Sequence, residues 1–250
     1  MIYLDNAATS WPKPAAVYEE LGSFLRHAGA NPGRAGHQMA ARAAWTVGET
    51  RRKLARLLGV DDPRRIIFTA NATDALNLAI KGSLSAGDHV VTTVMEHNSV
   101  RRPLRALERI GVMTTAVPAN AEGIVQPASI RSALRRNTKL VVVTNASNVN
   151  GAIQPIAEIA AIAHAHGAFL LVDGAQTVGS IPVDVKALDA DLLAFPGHKG
   201  LMGPPGTGGL ALGERIDTTI LHPIREGGTG GNSEEDTQPS EPPDRYEAGT

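Results

Sequence analysis

The 250-residue sequence contains no cysteine, so disulfide bonds and thiolate–metal sites are excluded, and no metal site is predicted. No apolar run approaches the roughly 20 residues that a membrane-spanning helix needs. The net charge is -1 and long basic runs are missing. We therefore expect neither nucleic acid nor a membrane as a partner.

Two further patterns are missing from the sequence. The start, MIYLDNAATS, lacks a basic region followed by an apolar one, so no signal peptide is predicted and a cytoplasmic location is expected by default. Residues 203–209 are rich in glycine, but no GxxxxGK(S/T) motif occurs, which argues against a P-loop nucleotide site. The composition, 42% hydrophobic and 20% charged, is ordinary for a globular protein of one large or two small domains.

Strand and helix patterns alternate from about residue 64 to 195, which is typical of βαβ units. Short apolar runs predict strands at 65–69, 89–94, 112–117, 140–144, 169–173, from 191, and 208–212. Helical spacing and caps predict helices at 15–27, 37–58, from 71, 98–110, 127–136 and 155–166. Asn98 and Ser99 are the predicted cap of the helix at 98–110. The sequence therefore predicts an α/β fold with a mostly parallel sheet and helices on both faces.

Two buried-strand patterns end in polar groups. The run FLLVDGAQ ends in Asp173 and Gln176, and the run DLLAFPGHK ends in His198 and Lys199. Ligands of open α/β sheets bind where the strands' carboxyl ends meet. A lysine beside an aspartate suits pyridoxal phosphate, because the amine forms a Schiff base with the cofactor and the carboxylate keeps the pyridine nitrogen protonated. Taken singly, Asp173 is typical of a turn or a helix cap, and Lys199 of a solvated charge.

The motifs VDGAQ and GHKG, in that order, resemble the class V aminotransferase family, especially the cysteine desulfurases and selenocysteine lyases. The resemblance implies the large domain of a pyridoxal-phosphate-dependent transferase of fold type I, which is aspartate aminotransferase-like. It also implies that Lys199 carries the cofactor, that Asp173 holds the pyridine nitrogen and that Gln176 holds the ring hydroxyl. The sequence LDNAAT near the start resembles the family's opening motif, which lies near the substrate.

Other site residues follow from the same resemblance. The segment FTANATDALN matches the family's phosphate loop through Thr73, with Asn71 as a further candidate, although a simple helix cap is the alternative. His97, in MEHNS, would stack on the pyridine ring and relay protons, and Asn148, in NASNVNG, would bond the ring hydroxyl or the substrate carboxylate. His198 joins Thr73 at the phosphate.

Two positions depart from the family's pattern, and two further residues are assigned roles by the resemblance. Ala72 and Pro196 stand where many relatives carry a hydroxyl side chain, which weakens the expected grip on the phosphate. His37 corresponds to a substrate-side histidine in the family, with a solvated helix-start histidine as the alternative. The end of the chain, YEAGT, resembles a motif that reaches the neighbouring subunit's cofactor phosphate, which implies a homodimer and adds Thr250 to the cofactor-binding residues.

Residues 1–25 are interpreted as an N-terminal segment, 26–225 as the cofactor-binding large domain, and 226–250 as a loop rich in glycine, proline and acidic residues. The loop's composition lacks the apolar residues for a core of its own. In relatives the thiolate that attacks sulfur belongs to a later small domain, so the chain is interpreted as truncated before it.

The functional hypothesis is a cysteine desulfurase-like enzyme, with Lys199, His97 and Asp173 as catalytic residues. It would take a cysteine-like amino acid, give alanine and pass sulfur to an acceptor protein, and as a fragment without cysteine it would be inactive in desulfuration. The alternatives are a selenocysteine lyase or other class V aminotransferase or epimerase, and a noncatalytic remnant of the fold.

Overall fold

The computed structural model describes residues 2–33, 36–229 and 236–249. The helices are α1 (Ala15–His27), α2 (Gln38–Leu57), α3 (Ala72–Ser83), α4 (Asn98–Leu107), α5 (Pro127–Ala133) and α6 (Ile156–Ala165). The strands are β1 (Ile66–Thr69), β2 (His89–Thr93), β3 (Met113–Val117), β4 (Thr138–Thr144), β5 (Phe169–Asp173), β6 (Leu192–Pro196) and β7 (Gly208–Leu212).

The strands form one seven-stranded sheet in the order β1-β7-β6-β5-β4-β2-β3. Every neighbouring pair is parallel except the two pairs that involve β7, which runs antiparallel to β6 and to β1. The other six strands therefore share one direction, and their carboxyl ends meet at one edge. The predicted α/β architecture with a mostly parallel sheet is confirmed.

Helices cover both faces of the sheet, as predicted. Alternate residues of each central strand enter opposite core clusters: Leu170 and Val172 of β5 pack with α2, α5 and α6, whereas Leu171 packs with α3 and α4. This alternation follows from the two-residue period of a strand. Because both faces are covered, these strands are apolar throughout, which is the pattern that made them recognisable in the sequence.

Element bounds agree with the sequence patterns to within about three residues, and the differences lie at the ends of both helices and strands. The cap of α4 is His97, whose Nδ1 accepts a hydrogen bond from the backbone N–H of Ser99 at 3.2 Å, rather than Asn98 or Ser99 as predicted. His37 similarly caps α2, through the backbone N–H of Ala40 at 3.3 Å. Gly59, with φ of 69°, follows the end of α2 in the left-handed conformation that glycine adopts easily.

The described part of the C-terminal segment is attached to the domain. Tyr246 is buried and joins the core cluster of α3 and α4. Glu247 forms a two-pronged ion pair with buried Arg51 of α2, at 2.7 and 2.8 Å, and accepts the backbone N–H of Phe68 at 2.6 Å. The described part of this segment therefore contributes to the main core. The proposed division at residues 25 and 225 stays a prediction.

Within the described ranges, no helix combines the length and the apolar character that crossing a membrane requires.

Candidate active site

A cavity of about 450 Å³ lies at the edge where the parallel strands end. The loops after β1, β2, β4, β5 and β6 all contribute to its wall, and the N-terminal segment covers one side. Eight of the nine residues predicted from the sequence line this cavity: Asn71, Thr73, His97, Asn148, Asp173, Gln176, His198 and Lys199. The ninth, Thr250, lies outside the described residues.

The turn from β1 into α3 forms the first wall. Asn71 is the N-cap of α3, since its Oδ1 accepts the backbone N–H of Asp74 at 2.9 Å. The first hydrogen bond within the helix is donated by the backbone N–H of Ala75 to the carbonyl of Asn71. The N–H groups of Ala72 and Thr73 therefore have no acceptor within the helix. Gly208 of β7 permits the close approach, because a Cβ there would lie 2.6 Å from the Asn71 backbone. This helix N-terminus is suited to an anion.

A short chain of hydrogen bonds joins the α3 turn to the β2–α4 loop. The hydroxyl of Thr73 lies 2.7 Å from the hydroxyl of Ser99, which lies 2.9 Å from Nδ1 of His97. Ser99 is buried, whereas Thr73 and His97 are open to the cavity. Ser99 was predicted from the sequence only as part of a helix cap, and its place two residues after His97 is the one local signal of a role in the cavity. It fixes the orientation of both neighbours.

Asp173 ends β5 at the base of the cavity and is only 3% exposed. Its Oδ1 accepts the backbone N–H of Ala175 at 2.9 Å. Burial raises the pKa of this carboxyl above its ordinary value, while the hydrogen bond from Ala175 and the nearby His97 and Lys199 act in the opposite direction. Among the described residues, no ion pair within 4 Å balances this acid. A cation in the cavity would stabilise its charged form.

Lys199 and His198 follow β6 and line the same cavity as Asp173. Backbone bonds from Gly197 N to Thr207 O and from Gly203 N to Gly197 O, both 2.7 Å, fix the start of this loop. Burial lowers the pKa of Lys199, opposed by the carboxylate of Asp173. The pKa of His198 is also lowered, first by burial and then by the positive charges of Lys199 and Lys13. An amine with a lowered pKa is a better nucleophile at neutral pH.

Gln176 and Asn148 both line the cavity. Gln176 donates from Nε2 to the carbonyl of Ala7 at 3.0 Å, which ties the N-terminal segment to the β5 loop. Asn148 is exposed in the turn after β4. His37, by contrast, is not among the residues that line the cavity, and its ring serves as a helix cap.

Glu96 is a buried acid that the sequence analysis did not single out. One carboxyl oxygen accepts the hydroxyl of Thr93 at 2.7 Å and the backbone N–H of Thr144 at 3.0 Å, while the other is buried without a hydrogen-bond partner among the described residues. Burial raises its pKa to about 8, with a smaller contribution from Asp173. Thr144 pairs with Asp173 in the sheet, so Glu96 braces the strand beside the cavity's buried acid.

We expect the stability of the protein to fall as pH rises from about 4.5 to about 8 through Glu96. Since its folded pKa is raised to about 8, the native state binds a proton there that the unfolded state has released, and the free energy of unfolding decreases with pH in that window. Glu96→Gln should flatten this dependence, measured by urea unfolding at pH 5, 6.5 and 8.

The matched control is Glu20→Gln on the exposed side of α1, which should leave the pH dependence unchanged. Some slope should persist in Glu96→Gln because the pKa of Asp173 is raised as well. An unaltered slope in Glu96→Gln would show that Glu96 ionises in the folded protein at its ordinary pKa.

The sequence of this chain is similar to a known protein family and to several of its members. The family model described as Aminotransferase class-V matches residues 2–250. A probable cysteine desulfurase of Methanothermobacter thermautotrophicus is 38% identical over 251 residues, covering 100% of this chain and 62% of that protein. Cysteine desulfurase IscS of Dictyoglomus turgidum is 37% identical, covering 93% of this chain and 58% of that protein. The chain thus spans about three fifths of the length of these curated relatives.

Solved structures agree with the sequence comparison. The apo structure of a cysteine desulfurase from Thermococcus onnurineus superposes with a TM-score of 0.91 at 35% identity, covering 100% of this chain and 63% of that one. A structure described as SspA in complex with cysteine gives a TM-score of 0.84 at 32% identity, covering 91% of this chain and 65% of that one. The fold implied by the sequence resemblance is therefore confirmed.

Proposed function

The chain belongs to the class V aminotransferase family, and on that premise we propose that it binds pyridoxal phosphate through Lys199 and acts on a cysteine-like amino acid. The observation that carries the proposal is the shared cavity of Lys199 and Asp173, an amine with a lowered pKa opposite a buried acid. Replacement of Lys199 by alanine tests the cofactor site, because it should abolish the covalent uptake of pyridoxal phosphate.

The residues of the cavity suit this cofactor. Asp173 is buried at the base without an ion-pair partner among the described residues, which is the environment that a protonated pyridine nitrogen would complete. The N-terminus of α3, with the N–H groups of Ala72 and Thr73 unused by the helix, is suited to a phosphate. The carboxylate of Asp173 and the N-terminus of α3 therefore suit the pyridine nitrogen and the phosphate of the cofactor, respectively.

When bound, pyridoxal phosphate supplies an electron sink for the bond broken at the substrate's α-carbon. The chain's own residues then perform the remaining tasks. Asp173 would hold the pyridine nitrogen protonated, and His97, which is hydrogen-bonded to Ser99, would bind the ring. Lys199 is positioned to take and return a proton at the substrate α-carbon, since burial favours its neutral form.

The remaining contacts belong to the two ends of the cofactor. Thr73 and His198 are proposed to bind the phosphate, with Asn71 acting mainly as the cap that exposes the helix N-terminus. Gln176 and Asn148 are proposed to bond the ring hydroxyl or the substrate carboxylate through their amide groups. Thr250 is proposed to reach the phosphate of a second subunit, and a homodimer follows from that proposal.

The substrate class is proposed from the relatives, which are named as cysteine desulfurases. Desulfuration of this kind uses a thiolate to attack the substrate sulfur, and the 250 residues contain no cysteine. We infer that these residues supply the cofactor site, and that the thiolate and the sulfur acceptor lie outside them. The missing thiol also favours a second candidate, a class V reaction that needs no thiolate, such as selenocysteine cleavage.

We expect the 250-residue chain loaded with pyridoxal phosphate to release no sulfide from L-cysteine above the rate of the free cofactor. The reason is that the chain offers no thiol to accept sulfur. Sulfide release would be measured beside the addition of a small thiol reductant and beside selenide release from L-selenocysteine. Robust sulfide release without any added thiol would contradict the desulfurase mechanism and favour an elimination run by Lys199.

A further inference from the structure

The backbone carbonyl of His198 accepts hydrogen bonds from several donors of the N-terminal segment. One of these donors, Lys13, is 185 residues away in the chain. The nitrogen of Ser10 lies 3.2 Å from this oxygen and its hydroxyl 3.1 Å. The hydroxyl of Thr9 lies 3.0 Å away, and Nζ of Lys13 lies 2.7 Å away. This carbonyl belongs to the peptide bond that joins His198 to Lys199, so the donors hold the backbone of the proposed cofactor lysine.

Lys13 differs from the other donors because it carries a charge. Its Nζ also lies 2.8 Å from the hydroxyl of Ser10, which completes a compact cluster of Ser10, Lys13 and the carbonyl. The side chain is half-buried, and burial lowers its pKa. A charged donor makes a stronger hydrogen bond to a carbonyl than a neutral one, so Lys13 contributes more to this cluster than either hydroxyl.

The cluster also controls the histidine ring. The hydroxyl of Thr9 lies 2.9 Å from Nδ1 of His198 as well as near its carbonyl, so the same segment fixes the ring and the backbone of that residue. The charges that act on His198 are the cations of Lys199 and Lys13, and both lower its pKa. Lys199 is in turn influenced by the carboxylate of Asp173.

We propose that Lys13 is a positioning residue for the His198–Lys199 pair: it anchors the peptide that carries Lys199 and places a positive charge near His198. The proposal rests on the proposed function in that Lys199 is taken as the cofactor lysine. The segment that Lys13 anchors also covers one side of the cavity, through Ala7 and its bond to Gln176. Losing the anchor would expose Lys199 further to water and would remove a positive charge that acts on His198.

The test uses cofactor-free protein, so that it does not depend on activity. The reactivity of the Lys199 amine toward trace acetic anhydride would be followed against pH by peptide mass spectrometry. Deuterium exchange at the imidazole C2 position would give the titration midpoint of His198. Three variants are compared: Lys13→Met removes the donor and the charge, Lys13→Gln keeps a donor without charge, and Lys13→Arg keeps both.

In Lys13→Met, labelling of Lys199 at pH 7 should slow by about threefold or more. This is the change expected if the pKa of Lys199 rises by about half a unit. The His198 midpoint should rise in Lys13→Met and Lys13→Gln and stay near the native value in Lys13→Arg. The control is Lys53→Met on the exposed side of α2, which should alter neither measurement.

The proposal would be overturned if His198 had the same titration midpoint in Lys13→Gln and Lys13→Arg and if Lys199 were labelled at the native rate in Lys13→Met. If Lys13→Met does not fold, the Gln and Arg pair decides the question alone. Failure of the proposed function is separate: it would appear as a native protein that does not take up pyridoxal phosphate, whatever the Lys13 variants do to His198 and Lys199.

Discussion

Replacement of Lys199 by alanine should abolish the covalent uptake of pyridoxal phosphate. The native protein should develop a visible absorption band on incubation with the cofactor, and borohydride should fix the cofactor onto the peptide that contains Lys199. Lys199 faces the cavity with a pKa lowered by burial, so its neutral amine is available to the cofactor's aldehyde. In Lys199→Ala the band and the modified peptide should both disappear.

The matched control is Lys53→Ala, which removes an exposed lysine of α2 and should leave the band and the modified peptide intact. Peptide mapping after borohydride treatment separates specific from random attachment. Modification of other lysines in the native protein at the same yield, or a normal band in Lys199→Ala, would refute the assignment of Lys199 as the cofactor lysine.

Replacement of Asp173 by asparagine should affect chemistry far more than binding. The amide keeps the size of the side chain and its bond to Ala175, but it cannot hold the pyridine nitrogen protonated. The rate of α-hydrogen exchange on an amino acid should fall by about a thousandfold or more, on the order of 4 kcal/mol in the barrier. Exchange into L-alanine would be followed by proton magnetic resonance in deuterated buffer, with cofactor affinity measured by titration.

Asp61→Asn is the control for Asp173→Asn, since Asp61 is an exposed carboxylate with 75% of its side chain accessible. It should exchange at the native rate. The expected pattern is a large loss of rate with a small loss of affinity. Equal losses in rate and affinity would show that Asp173 mainly shapes the cavity, and the electron-sink argument would then fail for this chain.

The elements of the sheet, and the polar residues that follow its strands into one cavity, were largely predictable from the sequence. Strands such as β4 and β5 are buried on both faces, so they appear as continuous apolar runs, and their polar ends stand out against them. Asp173, His198 and Lys199 each follow such a run within a few residues. Because parallel strands end at one edge, local patterns alone indicated that these side chains would line the same cavity, and the structure brings them together there.

The sequence by itself also determined the composition limits and the local caps. The lack of cysteine excludes a thiolate within these 250 residues, whatever the fold. Asn71 caps α3 as its position before the helical pattern predicts. Such properties depend on residues that are neighbours in the chain, so no tertiary structure is needed to infer them.

Only the tertiary structure decided which distant residues support the site. Glu96 looks like any polar loop residue until the fold places it, buried, against Thr144. Lys13 looks like a solvated charge, yet it bonds the carbonyl of His198 across 185 residues of chain. Tyr246 joins the core from a segment too polar to predict a core residue. The physical reason is that burial and long-range contacts are set by packing, which the local sequence pattern does not specify.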